Sequence, residues 1–214
     1  LPAGDAVLSA RPDDAPQLAA HPVLRTASFA AADACAGCHE FTFPDRRPVP
    51  EYMQTTAQEL QASRHRGTGC ADCHMPRVAD ANGGSHRSHA FVASRDADWM
   101  RSAFTVDARR PAADRVELTL DLLEDRIGHA LPTGDLLRRL VVSVAVDGPD
   151  RRGAAQRRYL ARHWQHARTG EGPSVRTLAH DDRLGVGDDP RVLQFTLDPA
   201  DAGLPVTWRV RYER

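Results

Sequence analysis

RVELTLDL, residues 115–122, is the first stretch of this chain in which apolar and polar side chains alternate strictly. Val116, Leu118, Leu120 and Leu122 fall on one side, and Glu117, Thr119 and Asp121 on the other. Successive side chains of an extended strand point to opposite faces, so the pattern predicts a strand with one buried and one wet face. The period recurs in Leu140, Val142, Val144 and Val146, then in Leu193, Phe195 and Leu197, then in Val206, Trp208, Val210 and Tyr212. Gly, Pro and Asp turns separate these runs, which predicts antiparallel strands. Several of them within about 100 residues predict an Ig-like β-sandwich.

Upstream of PAAD, residues 111–114, alternation fades and turn formers recur. One helix is expected after Pro50, through EYMQTTAQELQASRH, with Met53, Thr56, Ala57 and Leu60 on one face and Gly67 at its end. A second is expected through DADWMRSAF, with Trp99 and Ala103 facing inward. The fold class expected is α+β: an N-terminal part with few helices and long loops, then an antiparallel β-sandwich. The expected division is an N-terminal extension over 1–20, a first domain over 21–111 and a strand-rich domain over 112–214. The first domain is too poor in aliphatic residues to bury a core of its own. Something else must supply the apolar bulk.

Composition narrows the function classes. The chain has 214 residues and a formal net charge of −1, and its 28 basic residues are all arginine. Near-neutral charge gives no push toward nucleic acid or an anionic membrane, and no basic stripe interleaved with aromatics is present. No stretch is long and apolar enough for a membrane-spanning helix. The opening LPAGDAVLSARPDD has neither an initiator methionine nor an apolar export segment, so it reads as a processed or trimmed chain.

All four cysteines lie in two near copies of one pentapeptide, CAGCH at 35–39 and CADCH at 70–74. None is left for an independent disulfide. C-x-x-C-H sets two thiols and an imidazole within one turn, as a haem held by two thioether bonds and one axial nitrogen requires. The expectation is two covalently attached c-type haems, on Cys35 and Cys38 and on Cys70 and Cys73, with His39 and His74 as proximal iron ligands. Two large macrocycles would also supply the apolar surface missing from residues 20–105. A zinc ribbon, with the histidines incidental, is the competing expectation for paired CxxC elements. A thioredoxin-like dithiol would sit in a βαβ setting, which the pattern lacks. Haem attachment of this kind takes place outside the cytoplasm, so a periplasmic or extracellular location is expected.

Each iron would need a sixth ligand, and histidine or methionine sets its potential. Met75 adjoins proximal His74 and would have to reach round the ring, while Met53 lies in the helical stripe. Eight histidines lie outside the two pentapeptides. CAGCHEF, MQTTAQELQAS, CADCHMP, SHRSHAF, and GHALPTGD followed by LRRLVVSV, taken in order, resemble a module of the bacterial multihaem cytochromes c. The likeness runs over roughly residues 20–214. It implies a haem-bearing first part and a strand-rich second part whose H-x-x-P-T-G loop donates a histidine to iron. His129 then matches the loop histidine, and His89 the histidine that comes after CHMP. The resemblance implies two bis-histidine irons and leaves open which distal histidine serves which.

The residues themselves also favour His129. Gly128 removes a side chain where a macrocycle would press on the backbone. Leu131-Pro132-Thr133-Gly134 favours a type I turn, with proline second and glycine fourth, which would hold the imidazole at a fixed angle. His86 rivals His89 from three residues away, and His65 and His21 precede the two CxxCH stretches as further candidates. Arg64, Arg66, Arg77 and Arg87 could pair with propionates or remain solvated. His163 and His166 fall on opposite faces of one strand, which argues against a metal site there, and His180 has no nucleophile in context. The function expected is a dihaem carrier of single electrons, with redox proteins or copies of itself in a haem chain or filament as partners. The alternatives are a haem enzyme with one open iron that reduces peroxide or a nitrogen oxide, and a subunit of a larger multihaem assembly.

Overall fold

The computed structural model describes residues 7–9, 23–25, 31–43, 50–79, 81, 83–147, 155–167, 175–187 and 190–214. It is mostly antiparallel β-structure with a few short helices. The larger sheets lie in the second half. β7 (Phe104–Ala112), β8 (Arg115–Leu122) and β12 (Arg191–Thr196) form a three-stranded sheet in the order β12-β8-β7. β9 (Arg139–Val146), β10 (Gln156–Ala167), β11 (Val175–Asp181) and β13 (Val206–Glu213) form a four-stranded sheet in the order β11-β10-β9-β13.

One core joins the two sheets. Val116, Leu118, Leu120 and Leu122 of β8 are all buried, while Asp121 is exposed. They cluster with Leu140, Val142 and Val144 of β9, Leu160 of β10 and Phe195 of β12. The alternating runs thus became strands because one face of each could be removed from water. Trp208 departs from the pattern. It lies on β13, at the edge of its sheet, and is 39% exposed.

Two boundaries differ from expectation. β7 runs into PAAD, whose Ala113 and Asp114 form the two-residue turn of the β7–β8 hairpin, with Ala112 paired to Arg115. The three-stranded sheet therefore begins at Phe104, on the N-terminal side of the division expected at residue 112. The helix expected from Glu51 starts later: Tyr52–Thr55 is strand β4, which pairs with β3 (Glu40–Thr42), and only Thr56–Ala62 is helical, as α2. Met53 is thus a strand residue, and Leu60 is the buried member of the helix. Strand pairing to β3 outweighs the helical spacing of those first residues.

The first half also contains more strand than expected. Besides β3–β4 it has a parallel pair, β1 (Val7–Ser9) with β2 (Val23–Arg25), and the hairpin of β5 (Arg77–Ala79) and β6 (Ser85–Arg87). Its other helices are α1 (Asp33–His39), α3 (Cys70–His74) and α4 (Ala97–Arg101). α4 lies in the expected DADWMRSAF segment. Asp96 caps it by accepting from the Asp98 and Trp99 amides, satisfying two of the donors that a helix start leaves unpaired. Among the described residues no helix is long and apolar enough to cross a membrane.

Phe195 is fully buried, with the Arg158 guanidinium 5.2 Å from its ring centre. Phe195→Ala should lower stability by about 3–5 kcal/mol, measured by chemical denaturation, because the cavity opens where both sheets meet.

Candidate functional site

The two CxxCH segments form the short helices α1 and α3, each with its cysteines on the first and last turns and its histidine at the end. The helices approach each other through Cys35 and Cys70. Burial pushes the Cys70 thiol up to about 11, and the Cys35 thiol beside it adds to the rise. Burial, with Asp72 next to it, raises the Cys73 thiol too. Thiols held protonated in this way are poor nucleophiles, which speaks against a redox-active dithiol.

α3 is locked in place by its own flanks. Arg87, on β6, donates to the carbonyls of Ala71 and Met75 and pairs with Asp72. Arg87 is therefore engaged with α3 and is not a solvated arginine. His74 Nδ1 lies 2.6 Å from the Val92 carbonyl, and the Val92 amide donates back to the His74 carbonyl at 3.1 Å. A ring whose Nδ1–H is given to a carbonyl presents Nε2 as its lone-pair nitrogen.

His129 stands opposite. Its ring centre is 6.2 Å from that of His74, and the two planes are 9° from parallel. Its own Nδ1 lies 3.1 Å from the Ala130 carbonyl, so it too has Nε2 to offer. Burial lowers its basicity, which keeps the imidazole neutral. Trp99 of α4 closes one side, 6.0 Å from the His74 ring.

GHALPTGD holds its histidine by burying the three residues after it. Ala130, Leu131 and Pro132 are buried, and Leu131 exchanges two backbone hydrogen bonds with Leu184, at 2.9 and 3.0 Å. The hydrogen-bonded turn falls at Asp135–Arg138, where Arg138 donates to the Asp135 carbonyl, and not at the expected Leu131–Gly134. Tertiary contacts fix this loop in place of a local turn. Gly128 is needed for a close approach, though not to a macrocycle. A Cβ there would lie 2.6 Å from Leu60 Cδ1 and 3.0 Å from His65 Cβ.

The largest contribution comes from Glu59 of α2, which the sequence did not single out. Its Oε2 accepts from the Ala130 amide at 3.2 Å and the Thr133 hydroxyl at 2.9 Å. Its Oε1 accepts from Thr55 Oγ1, from Arg162 at 3.0 Å and from Arg183 at 2.8 Å. Arg183 also donates to the Pro132 carbonyl and grips Asp181 through two nitrogens. All four charged side chains are at most 14% exposed. Burial alone would lower Arg183, but the Asp181 hydrogen bonds and the Glu59 charge hold it above its usual range. Arg162 stays lowered by burial and by Arg183 beside it.

The other sequence candidates are spread out. His39 is exposed, with Nδ1 2.9 Å from the side-chain amide of buried Gln54. His65 Nε2 is bound to the Glu124 carbonyl at 2.9 Å. His89 is exposed beside Phe91, and His86 sits on β6 opposite Val78. His21 lies outside the described residues. Arg64 pairs with Glu124 and Arg77 donates to Ser85. A cleft of about 530 Å³ between α1 and α2 is bounded by Ala32, Ala36, Gln58 and Gln61, and none of the cysteines or histidines lines it. No family model, curated protein or solved structure matches the chain.

Glu59→Ala should cost about 3–5 kcal/mol in denaturant unfolding, because two buried guanidinium groups lose their shared carboxylate. Acid should act on the same cluster. Burial alone would raise the Asp181 carboxyl, but Arg183 and Arg162 outweigh it and hold it below its usual range. Its contribution is complete above about pH 3.9, the ordinary carboxylate value, and is lost as pH falls through the lowered native value. Stability measured from pH 5 downward should therefore drop, and the drop should be smaller in Asp181→Asn.

Proposed function

We propose that the chain is a dihaem c-type cytochrome that carries single electrons outside the cytoplasm. Cys70 and Cys73 would hold one haem and Cys35 and Cys38 the other, with His74 and His39 as their proximal ligands. The reading rests above all on the pair His74 and His129. Two imidazoles bound end-on to one iron through bonds of ~2.0 Å would have their ring centres roughly 6 Å apart, close to the 6.2 Å between these two. Both rings also have Nδ1 tied to a backbone carbonyl, the arrangement that orients metal-bound histidines. His129 is accordingly assigned to the haem of Cys70 and Cys73. The second ligand of the other haem comes from the set His89, His86, His65 and His21.

The zinc alternative would need four ligand atoms at one point. Among the described residues, the cysteines and CxxCH histidines do not gather into such a group. When bound, each haem would supply a one-electron couple, biased to low potential by two imidazoles. The chain's own residues fix His74 and His129 against rotation and exclude water from one side through Trp99 and the buried Ala130-Leu131-Pro132 run. The shared core of the two antiparallel sheets supports an Ig-like β-sandwich as their architecture. Redox proteins or further copies of the chain are the partners this reading implies, at a periplasmic or extracellular site.

Purified protein should be red, heavier than its bare polypeptide, and give a pyridine haemochrome spectrum equal to two haems per chain, with the haem remaining attached to the denatured polypeptide. His129→Ala should convert one haem from low spin to high spin by low-temperature EPR and leave the other unchanged. A colourless protein of polypeptide mass would overturn the proposal. Unaltered low-spin signals in His129→Ala would overturn the ligand assignment alone.

A further inference from the structure

Away from the haem motifs, the outer surface of β10 and β11 carries a second constellation. His163 and His180 are direct partners across the two strands, and the β10–β11 register shifts just after His163. Their rings lie 5.4 Å apart, tilted by 28°. Asp182 comes just past the end of β11 and turns its carboxylate toward both. Oδ1 lies 3.0 Å from His163 Nε2, and Oδ2 lies 3.5 Å from His180 Nε2. The three donor groups lie within 4.8 Å of one another.

We propose that His163, His180 and Asp182 form a binding site for a divalent cation of the zinc type. Ligands at ~2.0–2.1 Å around a tetrahedral ion stand roughly 3.3 Å apart, so the two imidazole–carboxylate separations already bracket the required value. Two imidazoles and one carboxylate suit zinc and its first-row neighbours and do not suit calcium or magnesium, which prefer oxygen donors. Asp182 is pre-oriented, because its Oδ1 also accepts from the Ala161 amide at 2.7 Å. The His180 side chain is 63% exposed, so rotation of that ring can bring its nitrogen inward. The exposed side leaves a coordination position for water or for a ligand from another molecule. The site is independent of the haem reading, since no residue is shared between them.

The test is a calorimetric titration of the full chain with zinc chloride, after any free cysteine thiols have been alkylated so that they cannot compete. One saturable site per chain is expected. His180→Ala should weaken it at least roughly tenfold, the loss seen when even a supporting outer partner of a metal site is removed. Asp182→Asn keeps an oxygen for the Ala161 amide and should also weaken binding, while His166→Ala, further along β10, should not. Zinc should raise the thermal midpoint of the wild type more than that of the His180→Ala variant. Absence of saturable binding, or wild-type affinity in His180→Ala and Asp182→Asn, would overturn the site.

Discussion

Glu59 accepts hydrogen bonds from the GHALPTGD loop, from the strand before α2 and from two arginines of the β-rich half, all through one carboxylate. With Asp181 it balances Arg162 and Arg183, so the buried cluster holds two charges of each sign. Ions taken out of water are costly unless each is paired and hydrogen-bonded. The cost constrains the geometry: α2, the loop and strands β10 and β11 must meet at this point or leave a charge stranded. The position of His129 is a consequence of that constraint. The loop on which it stands is fixed from below by Glu59 and Arg183 and from the side by Leu184.

The first half of the chain needs that anchor. Among the described residues between 31 and 102, Leu60 is the only buried aliphatic side chain. The order there comes from polar contacts, Arg87 across α3, Val92 on His74 and Gln54 on His39, and from the Phe43 ring set edge-on to Trp164 of β10. A segment of this length held by so little apolar burial is hard to stabilise on its own. On the dihaem proposal, two macrocycles supply the missing surface, and the polar contacts serve to orient groups around them.

How much of the molecule is legible in its sequence depends on the range of the interaction responsible. Strands β8, β9 and β12 are readable because their pattern records burial against one core, a local signature of a shared environment. β7 is not, since only two of its side chains alternate inward before it runs exposed from Asp107 to the hairpin. Tyr52, Met53 and Gln54 read as helix by spacing, yet a partner strand ten or more residues earlier draws them into a sheet. The cysteines and histidines of the CxxCH motifs stand out because they fall within five residues of each other. Glu59 does not, because its partners in the loop and the β-rich half lie between 71 and 124 residues away. Nothing in AQELQ distinguishes it from any surface glutamate. The same holds for His180. Alternation reads His163 and His166 as residues of opposite faces, but only strand pairing brings His180 opposite His163.

The two polar constellations on β10 and β11 are back to back by the same alternation. Arg162 and Asp181 face each other in register and point inward to Glu59, at 8% and 14% exposure. The next residue along from each, His163 and Asp182, faces out. Side chains of adjacent strand residues leave opposite faces of the sheet, so a tether on one face restrains the backbone that aims the other. A cation held by His163, His180 and Asp182 would cross-link the two strands one residue from Arg162 and Asp181, which hold Glu59 and Arg183 beneath the GHALPTGD loop. The energy of such a link enters as stabilisation of the folded strand pair. Its structural effect would reach His129 by two routes, through Arg183, Glu59 and the Ala130 amide and through the backbone pair of Leu184 and Leu131. Occupancy of the outer site would therefore stiffen the clamp around His129 without altering which nitrogen that histidine offers.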